Sequence, residues 1–519
     1  MNIVGLLDTI TMTTPEQVAL IHGAERITYR ELNHRSQAVG AFLQAQGLQP
    51  GQRALLMVPL SIDLYVIFLG LVRVGATVVL IDPAVGKAQL AACCAQAQPD
   101  LFIGSPKAHL LRLIHAPIRR IPRKFTLGWG LPGGPALRTH SVTTPCRDAP
   151  AMPDDPALIT FTSGSTALPK AICRTHGFLL HQHQVLCRTL TANLGAVEMN
   201  TLPVFILSSL ARGITVVIPK GFTGRPNSIN AADVVRELQE HQCTRLLAAP
   251  AFCQRLVDQL AATAQTLPTI DQVYTGGGPV FPALFAKLQQ GLPNATIYAV
   301  YGSTEAEPIA HLNLSTLLPT DWQMMQRGHG LLAGKPVAEI ELAILPDQVG
   351  QPIGPFTVET FAAAALPVHC AGEIVVTGAH VQKSYIDGGH GDDRLTKFRV
   401  GETIWHRTGD AGYLDEVGRL WLLGRCAARM GQGATARYPF GIEAAAMSHV
   451  GVERAALVEV DGAAVLAVQT SNGEWGKLQR QLADALPTVD RIQRLVVIPV
   501  DARHGSKVLY GKVQELVRG

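Results

Sequence analysis

The segment "FTSGSTALPKA", residues 161–171, gathers Thr162, Ser163, Gly164, Ser165, Thr166 and Lys170 into one short stretch. Hydroxyls, closely spaced backbone N–H groups and an ammonium suit the oxygens of a polyphosphate, the first two as hydrogen-bond donors and the last as a point charge. The spacing excludes a P-loop, which needs glycine directly before the lysine; Pro169 stands there instead. Taken alone, the segment fits a phosphate-wrapping loop and a plain Ser/Thr-rich connection equally well.

Three other stretches carry compatible chemistry. "VYGSTEAE" offers Tyr301, Thr304 and Glu305: an aromatic face for a base, a hydroxyl for a phosphate oxygen and a carboxylate for a divalent cation. "YTGGGP" holds Gly277 and Gly278, where a base can approach the backbone closely. "WHRTGDAGYLDEVGRLWLLGR" supplies Asp410 as an acceptor for ribose hydroxyls, with Arg425 at its end. The histidines argue less. His181 and His183 are two apart on a predicted helix, so their rings fall on different faces and read as ordinary helix residues. His176 reads as structural, and Trp322, Met324 and Met325 fit a core or the wall of an apolar tunnel.

The elements that must position these groups follow from periodicity. "DDPALIT" reads as a strand running into the first loop and "ICRTHGFLLHQHQVLCRTL" as a helix leaving it, a geometry that offers a helix N-terminus to phosphate. Upstream, "TYRELNHRSQAVGAFLQAQG" is an amphipathic helix closed by Gly47, "QRALLMVP" a strand, and Asp63–Val72 a buried helix passing into the strand "ATVVLIDP". Residues 125–155, rich in Gly, Pro and Thr, read as a surface excursion. Strand–helix alternation resumes from "TRLLAAP" to "ATIYAVYGSTE". Past residue 330 the elements become shorter strands, and a small α/β unit closes the chain. The expected fold class is α/β: a large N-terminal domain of α/β sheets with a β-rich subdomain, residues 1–424, and a small mobile α/β C-terminal domain, residues 425–519.

Composition narrows the function classes. Only 16% of the 519 residues are charged and the net charge is +4, with no dense Lys/Arg run, which argues against nucleic acid. The nine cysteines are scattered without a CxxC pair, as expected of reduced thiols in the cytoplasm. The N-terminus lacks a basic stretch and carries Asp8 within its apolar run, so no signal peptide is expected. Asp63 and Arg73 bound and interrupt the most apolar segment, so no transmembrane segment is expected either.

"FTSGSTALPKA", "VYGSTE", "WHRTGD" and "GRLWLLGR", in this order and spacing, with "GLVRVGATVVLIDP" upstream, resemble the acyl-adenylate-forming superfamily of AMP-dependent synthetases and ligases, over essentially the whole chain. The resemblance implies ATP and Mg2+. It puts the ATP phosphates on Thr162, Ser163, Gly164, Ser165, Thr166 and Lys170, adenine between Gly277, Gly278 and Tyr301, the α-phosphate on Thr304 and magnesium on Glu305. Ribose falls to Asp410, assisted by Arg425. For the C-terminal catalytic lysine, "PVDARHGSKVLYGK" offers Lys512 by its literal Gly-Lys pair, but spacing from Pro499 and the following apolar residue favour Lys507.

"LPVFILSSLARGITVVIP", "YGSTEAEPIA" and "PVDARHGSK" look closest to the olefin β-lactone synthetase and fatty-acyl-AMP synthetase branch. That branch implies a 2-alkyl-3-hydroxy fatty acid, activated as acyl-AMP with release of pyrophosphate and then closed to a β-lactone with release of AMP. It also implies neighbouring enzymes of olefin biosynthesis as partners. His504 is a candidate base for the 3-hydroxyl, beside the plainer reading of a surface histidine. Ala427 occupies the position where CoA ligases carry an acidic or lysine hinge, which points to reduced domain rotation. A fatty-acyl-AMP or acyl-CoA ligase shares the first half-reaction. A weakened acyl- or nucleotide-binding paralogue fits Ala167 and Ala171, which stand where the family has glycine.

Overall fold

A computed structural model of the chain describes residues 2–82, 85–137, 146–162, 169–226, 229–386, 392–431, 436–471, 473–501 and 505–518. The chain forms two compact units, the first comprising Met1–Gly224, Glu240–Thr244 and Ala379–Asp393, the second Arg225–Gln239, Arg245–Gly378 and Arg394–Gly519.

The first unit is built on a six-stranded sheet ordered Arg123–Thr126, Leu101–Gly104, Arg53–Met57, Thr77–Leu80, Pro156–Thr162, Lys170–Thr175. All neighbours are parallel except the last pair. A second set of strands runs Val197–Asn200, Thr215–Ile218, Val18–His22, Glu25–Thr28. The helix Tyr29–Ala45 starts where a capping box allows it: the Thr28 hydroxyl accepts from Glu31 N, and the Glu31 carboxylate accepts from Thr28 N. The helix Ile62–Arg73 then runs into Thr77–Leu80, as its apolar pattern predicts. It is buried apart from Asp63, and the buried Arg73 guanidinium is neutralised by Asp8 at 2.6 Å and Asp148 at 2.8 Å. No helix among the described residues is long and apolar enough to cross a membrane.

Residues 172–175 do not open the expected helix: Lys170–Thr175 is a strand antiparallel to Pro156–Thr162, and the helix begins only at His176, capped by the Thr175 hydroxyl. A whole strand therefore separates the helix N-terminus at His176 from the stretch that precedes Lys170. Ile172 and Arg174 are buried while Cys173 and Thr175 are half-buried, a period of two that, with β-branched Ile172 and Thr175, the helical reading overlooks.

The second unit carries strands in the order Ile340–Leu345, Gly372–Gly378, Thr403–Leu414, Leu420–Arg425, Leu331–Pro336, Ala306–Asn313, Thr296–Ser303, Gln272–Gly276, Arg245–Ala248. The last three are parallel and the other neighbours antiparallel, so the β-rich stretch past residue 330 is as expected. After Gly424 the chain brings its own three-stranded sheet, Arg454–Val460, Ala463–Gln469, Arg491–Leu495. One face packs on the helices Pro439–Met447 and Trp475–Ala485, the other on Tyr510–Arg518.

Candidate active site

In the first unit, Thr162 and Lys170 are cross-strand partners at the loop end of the hairpin, with residues 163–169 between them. Ser163, Gly164, Ser165, Thr166 and Ala167 lie outside the described residues. The descending strand is fixed by Gln96, which donates to Pro169 O at 2.8 Å and accepts from Ala171 N at 3.2 Å. Ala171 is fully buried in the apolar cluster beneath the sheet, so its Cβ is core packing. The Lys170 ammonium sits 5.5 Å from the centre of the Tyr385 ring, a cation–π distance that holds the long side chain. The Thr162 hydroxyl is buried and has no hydrogen-bond partner. A buried hydroxyl without a partner at the root of this loop is a donor that fits an oxyanion.

The second unit brings together most of the remaining residues. Asp410, on the strand Thr403–Leu414, is cross-strand partner of Arg425. Its Oδ1 accepts from the Arg425 guanidinium at 2.8 Å and its Oδ2 from the Tyr301 hydroxyl at 2.9 Å. The Asp410 carboxylate holds the Arg425 guanidinium more firmly protonated than an ordinary arginine. Burial, then the nearby Asp410 charge, pushes the Tyr301 phenol well above its usual range, so it remains a donor. Sequence reasoning assigned Tyr301 only its ring; its hydroxyl also orients Asp410. Each Asp410 oxygen retains a further acceptor lone pair.

Thr304 and Glu305 are the two turn residues between Thr296–Ser303 and Ala306–Asn313, in register Ser303 to Ala306. They sit at the tip of an antiparallel hairpin, just past the end of a strand that also runs parallel to Gln272–Gly276. Glu305 is near enough to contribute to the charge around Arg425. A single carboxylate suits Mg2+, which keeps several waters and binds largely through substrate phosphates. The Ser303 hydroxyl beside this turn is buried without a partner.

Gly277 adopts φ +80°, a conformation that favours glycine. Gly278 faces Ser506, whose buried hydroxyl also has no partner. Ser506 directly precedes Lys507, so the loop of Lys507 is seated on the glycine turn. That loop is internally braced: Asp501 N donates to Lys507 O at 2.9 Å, and Lys507 N donates to the Asp501 carboxylate at 3.0 Å. Lys512 instead lies exposed on the helix Tyr510–Arg518. Ser506 was not picked out from sequence; a serine before a lysine carries no signal without the glycine it meets.

The other singled-out residues lie elsewhere. His504 is outside the described residues. His176 is buried and accepts from Ile3 N, its imidazole pushed down by burial. His181 is exposed, whereas His183 bonds Ser208 at 2.9 Å. Trp322 packs edge-on against Phe285 and lines an apolar cleft of about 610 Å³ with Leu314 and Met447, while Met325 is core.

The model of the AMP-binding enzyme family matches residues 7–386. The chain belongs to this family. It is similar to the olefin beta-lactone synthetase of Stenotrophomonas maltophilia, with 31% identity over 98% of this chain and 96% of the relative. It is 26% identical to the medium-chain fatty-acid–CoA ligase of Escherichia coli, over 79% of this chain and 70% of that one. Among solved structures, the amide bond synthetase McbA from Marinactinospora thermotolerans superposes with a TM-score of 0.82 at 21% identity, covering 99% of each chain. The protein is thus an adenylate-forming enzyme of the synthetase and ligase class, in the α/β fold of its AMP-binding relatives.

Proposed function

We propose that this adenylate-forming enzyme activates a 2-alkyl-3-hydroxy fatty acid as its acyl-AMP and then closes it to a β-lactone. The observation that carries the adenylation site is Asp410 held between Tyr301 and Arg425 in the same unit that seats the Lys507 loop on Gly278. The similarity to an olefin beta-lactone synthetase supports the second step.

In the first step a substrate carboxylate oxygen attacks the α-phosphorus of ATP and pyrophosphate leaves. Two anions must meet, so positive charge and fixed geometry dominate the barrier. Lys507 is placed at the reacting carboxylate and α-phosphate, with Thr304 donating to a phosphate oxygen. Thr162, Ser163, Gly164, Ser165, Thr166 and Lys170 hold the departing phosphates. Asp410, oriented by Tyr301 and Arg425, fixes the ribose, and Gly277 and Gly278 let adenine lie against backbone. A magnesium ion held by Glu305 and phosphate oxygens would supply further charge neutralisation.

In the second step the substrate's 3-hydroxyl oxygen attacks the activated carbonyl carbon, its proton passes to solvent, and AMP leaves. Both reacting groups are in one molecule, so no second substrate has to be delivered. Residues 1–424 and 425–519 act as the two functional domains. Ala427, within the single turn Cys426–Ala428, limits their rotation. The enzyme works in the cytoplasm, beside the enzymes that make and consume these acids.

ATP–pyrophosphate exchange over a panel of 3-hydroxy and unsubstituted fatty acids, with and without CoA, tests this reading. Exchange with 3-hydroxy acids and lactone formation without CoA is the expected result. Robust acyl-CoA formation from unsubstituted acids would favour the ligase reading, which the fatty-acid–CoA ligase similarity supports. No exchange with any acid overturns both.

A further inference from the structure

Charge is distributed unevenly along the chain. Residues 101–147 contain eight Lys and Arg and no Asp or Glu, although the whole protein is only +4. Within this stretch, the helix Pro106–Ile114 turns one face to solvent bearing Lys107, Leu110, Leu113 and Ile114, the last three 61%, 74% and 62% exposed. Its inner face is committed elsewhere: His109 is buried, bonds Phe125 O at 3.0 Å and packs on the Phe102 ring. Arg119 and Arg120, exposed on the next short helix, have no side-chain partner among the described residues, and neither has Lys107. Arg112 ties the following turn to the helix by donating to Pro132 O at 2.8 Å and Gly133 O at 3.2 Å. Trp129, 79% exposed, lies two residues before that turn begins.

Isolated exposed apolar side chains are unremarkable, but a contiguous helix face of three that also bears Lys107, packed beside a helix ending in the exposed Arg119 and Arg120 in a stretch without one acid, is not. We propose that this basic, apolar face is a peripheral anchor for an anionic lipid surface. Leucine, isoleucine and tryptophan enter the boundary between headgroups and acyl chains, and lysine and arginine keep their charges at the phosphates while laying their alkyl stems along the apolar layer. An acidic protein partner would satisfy the cations but leave the aliphatic stripe facing a polar surface. Docking at a bilayer would place an enzyme for long-chain acids where such acids partition.

Flotation with phosphatidylcholine vesicles, alone or containing about a third phosphatidylglycerol, tests the anchor. The intact enzyme is expected to float with the anionic vesicles and to be released by high salt. One Lys or Arg near such a surface is worth about fivefold in partition, so R119Q/R120Q should lower it about 25-fold. L110S/L113S/I114S should lower it at least tenfold. Neither variant touches the proposed site, so pyrophosphate exchange and melting temperature should match the parent. Equal flotation of parent and variants overturns the anchor, as does retention on heparin without flotation. A dimer that the same substitutions split also overturns it, because the face is then a self-interface.

Discussion

Ser506 and Gly278 are so close that a β-carbon on the glycine would meet the serine hydroxyl well inside van der Waals contact. Gly278 is not held in a left-handed conformation, so alanine there is penalised by this contact and not by the backbone. Gly278→Ala should push the Lys507 loop off the glycine turn and slow pyrophosphate exchange at least tenfold, about 1.4 kcal/mol of barrier, with little change in melting temperature. Adding Ser506→Gly removes the obstructing hydroxyl and should restore most of the rate. An unrescued double variant would show that Gly278 matters for another reason.

Thr162 gives a prediction in which stability and activity move in opposite directions. Its hydroxyl is buried without a partner, which costs the folded state about 1–3 kcal/mol. Thr162→Val keeps the shape and removes the unsatisfied group. The variant should melt higher than the parent while pyrophosphate exchange falls, because the hydroxyl is retained for phosphate. If the rate is unchanged, Thr162 is not a phosphate ligand.

Tyr301→Phe removes one of the two donors on Asp410 and leaves Arg425 in place. A hydrogen bond to a charged group is worth about 1.5–3 kcal/mol. The expected result is a KM for ATP raised about tenfold or more with a smaller change in kcat, since ribose positioning and not phosphoryl transfer is disturbed. Asp410→Asn should be worse, because it leaves the Arg425 guanidinium without its counter-charge. Steady-state kinetics against ATP measures both.

Much of this arrangement was legible in the sequence because glycine turns, strand ends and charged residues in fixed spacing are local signals. Asp410 and Arg425 are named in one sequence stretch, and their cross-strand pairing is what the structure adds. The hairpin at Thr162 and Lys170 was misread because "ICRTHGFLLHQ" has apolar residues that satisfy both periods; only pairing with Pro156–Thr162 decides for a strand. Ser506, Tyr385 and the Tyr301 hydroxyl escaped for a common reason. Their roles arise from partners far away in the chain, and a single sequence carries no mark of such contacts.

Glu443 predicts a pH dependence. It is fully buried, bonded by the Tyr510 hydroxyl at 3.0 Å and Leu457 N at 3.0 Å, with Arg454 nearby. Burial pushes its carboxyl up from 4.5 to about 8. The folded chain therefore keeps a proton that the unfolded chain releases above 4.5. The resulting stabilisation is complete below that pH and is lost as pH rises through 8, by an amount on the order of a few kcal/mol. Melting temperatures between pH 5 and 8.5 should fall more steeply for the parent than for Glu443→Gln. Parallel curves would mean that Glu443 does not titrate in this range.

The segment after Ala427 is clamped by one buried carboxylate. Asp347 Oδ2 accepts from the Tyr438 hydroxyl at 3.0 Å and pairs with Arg429 at 3.1 Å, and the same Arg429 donates to Asp347 O at 2.9 Å. Both partners lie just beyond the turn Cys426–Ala428, so the clamp restrains the stretch on which any domain rotation would pivot. Removing one partner of such a buried pair costs about 3–5 kcal/mol, much of it from stranding the other charge. Asp347→Asn should therefore lower the melting temperature, expose residues 426–438 to limited proteolysis and slow adenylation by loosening the Lys507 loop. Arg429→Gln added to Asp347→Asn should cost much less than the sum of the single changes, because the stranded charge is then gone. Additive losses, or a cleavage pattern like the parent's, would show that the segment is held by its apolar packing and not by Asp347.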